Sequence, residues 1–395
     1  MRIVADENIV AVKELFLQHG ELQLLPGRSI SAADVRDADV LLVRSITRVD
    51  RALLEGSRVR FVATATSGTD HLDLPYLNAA EICVADAAGS NANAVVEYCL
   101  GGIAELVGRK VFSLRGQCVA IIGFGHVGKG LYHRLRELGV ACLVCDPYVE
   151  AQGREEGKFA HIPFCDLDTA LRAPVVSLHT PLTHNGEHPT WHLLDEERLN
   201  RLAAGTLLIN ASRGGVVDNS ALCQRLQRSN DLLTLLDVWE NEPGISRDLL
   251  KFVTLGTPHI AGYSVEAKRS ASERNYQSFR EYFNLPAGAA LSAAAERKLL
   301  LKVNLMDVHY PDTAAQEEHV LSECLRTAFP VAGIDQRLRS ADQRTGAAVF
   351  DNIRKTLNSR REFSHYTLAK SLLDNGAISP AVATRLHTLG FNFSE

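Results

Sequence analysis

Short runs of apolar, β-branched residues alternate along this chain with segments whose apolar positions recur every three to four residues. That is the pattern of parallel strands buried on both faces and separated by amphipathic helices. In the first ~97 residues it predicts strands at Arg2 to Ala5, Leu22 to Leu25, Asp39 to Val43, Val59 to Ala65 and Glu81 to Val84, with a helix from Val10 to His19 stopped by Gly20. Open α/β sheets of this kind bind ligands at the carboxyl ends of their strands. Two polar runs fall there: Arg44-Ser45 and Thr66-Ser67-Gly68, which read either as ligand contacts or as turn chemistry. A helix from Asn91 to Val107 then carries the chain into a second domain.

That domain opens with Val119-Ala120-Ile121-Ile122, a strand, followed by Gly123-Phe124-Gly125-His126-Val127-Gly128 and a helix marked by Leu131, Leu135 and Leu138. The three glycines serve a tight turn, close backbone approach to a pyrophosphate, and close packing of helix on strand. The helix start directs unpaired N–H groups at the phosphates. A second strand, Val140 to Cys145, ends in Asp146, 18 residues beyond Gly128 and near the ~20 expected for the acid that grips a ribose. An acid there accepts from the ribose hydroxyls and repels a 2′-phosphate, so the cofactor predicted is NAD and not NADP.

Further strands are predicted at Val175 to Leu178, Thr206 to Ile209, Leu232 to Leu236 and Phe252 to Leu255, with helices near 194 to 204 and 219 to 229. Ser264 reads as the N-cap of a long helix to Phe283, and residues 287 to 295 as an alanine-rich linker. Beyond it come a strand at Leu299 to Leu305 and helices at Glu317 to Ala328 and around 352 to 357. The fold class expected is α/β: two doubly wound parallel-sheet domains, flavodoxin-like and then Rossmann, plus an α+β C-terminal domain for association. The substrate is expected in the cleft between the two sheets.

Composition narrows the function. With 46% apolar and 23% charged residues and a net charge of −5, neither nucleic acid nor an anionic membrane is an expected partner. No apolar run reaches a membrane span and the N-terminus does not read as a signal peptide, so a cytoplasmic location is expected. The eight cysteines read as small core residues in a reducing compartment. Cys142 and Cys145 form a CxxC, but on a strand their thiols point to opposite faces. His184, His188 and His192 are spaced by four, yet Gly186 and Pro189 prevent the helix that would align them, so no metal is expected.

Candidate chemistry stands at strand ends of the second domain: Arg213, Glu242 and His259. A guanidinium fork holds an α-carboxylate and polarises a developing carbonyl. An imidazole takes a hydroxyl proton as hydride leaves carbon, and a carboxylate behind it sets its tautomer and basicity.

The segments GFGHVG (123–128), NASRGGVVD (210–218), LDVWENEP (236–243) and TPHIAGY (257–263) resemble the D-2-hydroxyacid dehydrogenase superfamily. VRSITRV (43–49), ATATSGTDHLD (63–73), NANAVVEY (91–98) and the C-terminal extension narrow the resemblance to a branch acting on a phosphorylated four-carbon hydroxy acid in vitamin B6 synthesis. The resemblance implies that Arg213, Glu242 and His259 are catalytic. It implies NAD contacts at Gly123, Gly125, His126, Val127, Gly128, Asp146, Thr180, Ala211, Ser212, Arg213, Asp237 and Gly262, and substrate contacts at Ser45, Thr66 and Tyr263. It also implies a discontinuous substrate domain (1–97 plus 258–286), an NAD domain (98–257) and a C-terminal dimerisation domain (287–395), hence a homodimer. The Ser67-Gly68-Thr69 backbone is a candidate carboxylate donor, Arg44 a candidate phosphate cation, and Arg360 or Arg361 either a second cation reaching a partner subunit or a solvated face. The rival readings are a phosphoglycerate- or hydroxypyruvate-type dehydrogenase and an NAD-sensing interaction protein.

Overall fold

The computed structural model describes residues 1–286, 298–305, 310, 312–341, 345–357 and 359–394. These form two compact units: one of Met1–Ala92 with Ser264–Arg297, described as far as Pro286, and one of Asn93–Tyr263 with Lys298–Glu395.

In the first unit, strands β1 (Arg2–Asp6), β2 (Glu21–Leu25), β3 (Val40–Val43), β4 (Phe61–Thr64) and β5 (Cys83–Ala85) form one parallel sheet in the order β2-β1-β3-β4-β5. This is the flavodoxin-like order. Every residue of β3 and β4 is buried, as the apolar runs Val40–Val43 and Phe61–Ala63 require, and Thr64 is buried with them. The helix predicted from Val10 begins instead at Val12, because Ala11 takes a left-handed conformation (φ 57°) that no helix accommodates. The helix Val265–Tyr282 returns to this unit, capped by Ser264, whose Oγ accepts from the Ala267 N–H. It lays Phe279 against Phe16 and Phe61, with ring centroids 5.2 and 5.9 Å away, so the unit is closed by residues some 200 positions downstream of its sheet.

In the second unit, β6 (Cys118–Ile122), β7 (Ala141–Cys145), β8 (Val175–Leu178), β9 (Leu207–Asn210), β10 (Leu233–Leu236) and β11 (Leu255–Gly256) are all parallel, in the order β11-β10-β9-β8-β6-β7. Strand order reverses at β6, which makes its boundary with β8 the topological switch point. One row of register runs across the whole sheet: Cys145, Ile122, Leu178, Asn210, Leu236 and Gly256. The strand predicted from Phe252 is shorter than expected. Phe252 ends the helix Arg247–Phe252, which Ser246 caps by accepting from the Leu249 N–H.

The C-terminal residues add helices Thr313–Ala328, Val331–Arg339, Gly346–Thr356 and Pro380–Thr388 and a small parallel sheet of β12 (Leu299–Leu300), β13 (Tyr366–Leu368) and β14 (Asn392–Phe393). The strand expected over Leu299 to Leu305 is confined to its first two residues, and the linker expected at 287 to 295 lies outside the described residues. Phe329, Val331, Leu338 and Phe350 join the apolar core that surrounds the second sheet. Asp335 accepts from the Gly256 N–H (2.8 Å), which satisfies a donor on edge strand β11. Among the described residues no helix is long and apolar enough to cross a membrane.

Candidate active site

The residues singled out in the second unit follow its register row almost immediately. Gly123 follows Ile122, Asp146 follows Cys145, Thr180 lies two beyond Leu178, Asp237 follows Leu236, and Arg213 and His259 lie three beyond Asn210 and Gly256. Parallel pairing therefore delivers them to one edge.

Gly123 has φ +93°, and a Cβ there would lie 2.7 Å from the backbone of His179, so the ends of β6 and β8 touch at the switch point. A Cβ on Gly128 would collide with the Gly123 carbonyl, the close helix-to-strand packing expected of the third glycine. Around Gly125 a Cβ would meet no protein atom within 4 Å, and no side chain caps the helix His126–Glu137. Its first N–H groups are thus offered to an anion. Asp146 Oδ2 accepts from the Phe124 N–H (2.7 Å) and Oδ1 from the Val149 N–H (3.1 Å), which ties the glycine loop to the next helix. Each oxygen keeps a second lone pair for a ribose hydroxyl.

Two buried polar atoms at this edge have no hydrogen-bond partner among the described residues: Thr180 Oγ1 and His179 Nδ1. The other ring nitrogen of His179, Nε2, lies 2.8 Å from Ser177 Oγ, and burial drives its pKa down to about 4, so the imidazole is neutral. An open glycine loop, an acid at its rim and an unpartnered hydroxyl at the switch point fit a dinucleotide.

His259 takes a left-handed conformation (φ 53°), and its Nδ1 lies 2.7 Å from Glu242 Oε2. Glu242 Oε1 in turn accepts from the Trp239 N–H (2.8 Å). Asp237, expected to touch the cofactor, is only 1% exposed. Its carboxylate accepts from Thr257 Oγ1 (2.6 Å) and from the N–H groups of Ile260 and Ala261 (2.8 Å each), while its carbonyl accepts from the His259 N–H (2.7 Å). It thereby pins the loop that presents the imidazole. Because Thr257 donates to Asp237, the Tyr98 hydroxyl is the donor in its 2.7 Å contact with Thr257. Burial raises the Asp237 pKa, and the nearby His259 and the three donors oppose that rise.

Arg213 sits on a loop shaped by Asn210, which accepts from Ser212 N and Oγ and donates to the Arg213 carbonyl. A Cβ on the next residue, Gly214, would collide with the Trp239 carbonyl, so this loop packs directly on the segment leading to Glu242. Ala211 and Gly262 are half-buried and Ser212 is buried on the same edge.

In the first unit, Ser45 is exposed just after β3 and Thr66 is half-buried just after β4, its Oγ1 2.8 Å from that of Thr64. Arg44 donates Nε to the fully buried Asp6 (2.8 Å), so one edge of its guanidinium neutralises an internal carboxylate. The solvated-face reading of Arg360 is overturned. It is buried, donates to the carbonyls of Ala261 (2.7 Å), Tyr263 (3.1 Å) and Ala94 (2.7 Å), and lies 3.9 Å from the Phe329 ring centroid. Its cationic head is enclosed within its own chain, which excludes a reach to a partner subunit. No local pattern signals this, because its contacts lie about 100 and 266 residues away.

The three spaced histidines do not converge. His184 stacks on Trp191, which stacks on His192. Among the described residues one group of possible metal ligands exists, His192, Asp218 and Glu240, with ligand atoms within 4.8 Å. These are occupied by one another and by backbone: Glu240 meets His192 Nε2 (2.9 Å) and the Asn219 N–H (2.9 Å), and Asp218 caps a helix by accepting from the Ala221 N–H.

Residues 103–261 match the family model described as D-isomer specific 2-hydroxyacid dehydrogenase, NAD binding domain. The chain is 48% identical to an erythronate-4-phosphate dehydrogenase from Chromohalobacter salexigens over 381 residues, 95% of each chain. It is 40% identical to one from Pectobacterium atrosepticum, over 100% of this chain and 99% of that one. Among solved structures, NAD-bound 3-phosphoglycerate dehydrogenase from Entamoeba histolytica superposes with a TM-score of 0.61 at 24% identity, covering 72% of this chain and 95% of that one. That likeness extends to the fold.

Proposed function

Since the chain belongs to the erythronate-4-phosphate dehydrogenase family of D-isomer specific 2-hydroxyacid dehydrogenases, we propose that it oxidises 4-phospho-D-erythronate at C2 to (R)-3-hydroxy-2-oxo-4-phosphobutanoate in vitamin B6 synthesis. It is an NAD-dependent dehydrogenase, and the substrate class is a small hydroxy acid. The observation that carries the proposed roles is the 2.7 Å contact between His259 Nδ1 and Glu242 Oε2. A neutral imidazole donates Nδ1–H to that carboxylate, which leaves a lone pair on Nε2. His259 Nε2 then takes the C2 hydroxyl proton while the hydrogen on C2 departs as hydride. NAD supplies the hydride acceptor when bound. Glu242 stabilises the imidazolium that forms. Arg213 holds the α-carboxylate and polarises the oxygen that becomes the carbonyl, a task suited to a fork of donors.

In this reading Gly123, Gly125, His126, Val127, Gly128, Asp146, Thr180, Ala211, Ser212, Arg213, Asp237 and Gly262 form the NAD site, with Asp237 acting mainly through the loop it pins. Ser45, Thr66 and Tyr263 contact the substrate. The protein works in the cytoplasm as a homodimer joined through residues 287–395, and the domain limits 1–97 plus 258–286 and 98–257 belong to the same proposal.

The test is single-turnover NADH fluorescence on NAD-loaded protein mixed with 4-phosphoerythronate or with 3-phosphoglycerate. A burst with the four-carbon acid is expected. A burst with the three-carbon acid alone would move the substrate, and silence with both would favour an NAD-sensing role.

A further inference from the structure

We propose that Arg354, on the helix Gly346–Thr356, binds the substrate's phosphate together with Tyr263 and so determines specificity for a phosphorylated acid. The proposal rests on the substrate reading above. Tyr263 lies four residues beyond His259 and is held by its N–H to the Ile260 carbonyl (2.8 Å) and by Arg360 on its own carbonyl. Arg354 Nη2 donates to the Tyr263 hydroxyl oxygen at 3.0 Å, and its guanidinium carbon lies 5.5 Å from the ring centroid. A cation is thus docked at the end of the loop that carries the general base.

Its charge is incompletely answered by the protein. Asp351, one turn back, approaches Nη1 only to 3.9 Å, beyond hydrogen-bond reach. The Arg354 Nε is buried with no hydrogen-bond partner among the described residues. The other cations considered differ in this respect: Arg44 is bonded to Asp6 and Arg360 to three backbone carbonyls. The Arg354 side chain remains 21% exposed, so a ligand can reach it.

The substrate carries two anions, and Arg213 is assigned to the carboxylate. The second anion, three carbons away, needs its own cation, and a planar fork with several donors suits a phosphate. Arg354 lies outside residues 103–261, in the segment that follows the family's NAD-binding domain. The C-terminal extension therefore supplies a side chain to substrate recognition as well as framework.

The experiment compares wild type, Arg354→Met and Arg354→Lys on 4-phosphoerythronate and on phosphate-free D-erythronate, reading KM and kcat separately. Melting temperature and NADH binding serve as controls for the fold. Losing a charge-assisted hydrogen bond should raise KM for the phosphorylated acid about 10- to 100-fold in Arg354→Met. The preference for phosphorylated over phosphate-free acid should collapse by the same factor, and Arg354→Lys should lie between. Equal losses on both acids would mean a structural role, and an unchanged KM would remove Arg354 from the phosphate site; either overturns the inference. A wild type inactive on 4-phosphoerythronate would instead overturn the substrate reading, and this inference with it.

Discussion

Replacing Glu242 by glutamine tests the base assignment with particular force, because the structure dictates how the new amide must sit. Glu242 Oε1 accepts from the Trp239 backbone N–H at 2.8 Å, and Oε2 faces His259 Nδ1 at 2.7 Å. A glutamine in the same pocket keeps its oxygen on the Trp239 donor, since the reverse would set two donors against each other. Its NH₂ then points at Nδ1, which must become the acceptor. The imidazole proton moves to Nε2, the nitrogen needed to receive the substrate proton, and the base is disabled. General-base contributions are about 10²- to 10⁴-fold, or roughly 3 to 5 kcal/mol of barrier. Glu242→Ala removes the orienting carboxylate without imposing the wrong tautomer, so it should lose less. The assay is single-turnover NADH formation for both variants at saturating substrate, with NADH binding as a control. Glutamine activity equal to or above alanine, or within tenfold of wild type, would refute the tautomer argument.

Stability should depend on His179. Its folded pKa of about 4 lies below the ordinary 6.5, so between those values the unfolded chain takes up a proton that the folded chain refuses. Stability is full above pH 6.5 and falls as pH drops toward 4, by about 3 kcal/mol at roughly 1.4 kcal/mol per pH unit. Melting curves of wild type and His179→Gln should converge over that window; parallel curves would contradict it. Arg360→Met should cost about 3 to 5 kcal/mol, because it leaves three buried carbonyls without their donor and removes the cation beside buried Glu97. That should appear as a drop of several degrees in melting temperature, and a drop below one degree would show that the site relaxes without penalty.

Much of this molecule is local in origin and therefore legible in the chain. Predominantly apolar runs at β3, β4, β6 and β8 signal buried strands, and Gly123 and Gly128 mark a turn where a Cβ would strike backbone. Because parallel strands in register deliver their following residues to one edge, the polar residues after β9, β10 and β11 could be nominated together. Arg213, Glu242 and His259, the residues proposed for the chemistry, were nominated on that ground.

What only the tertiary structure decided involves partners distant in sequence. The carbonyl and carboxylate of Asp237 pin the His259 loop, a task that the cofactor contact implied by the family resemblance did not foretell. Arg360, a charge beside another charge, read as surface and proves to be enclosed by carbonyls about 100 and 266 residues away. Arg354 carried no signal at all until Tyr263 was placed beside it. A side chain's chemical type is written in the sequence, but whether its charge meets water, a carbonyl or a ligand is set by which distant segments the folded core brings against it.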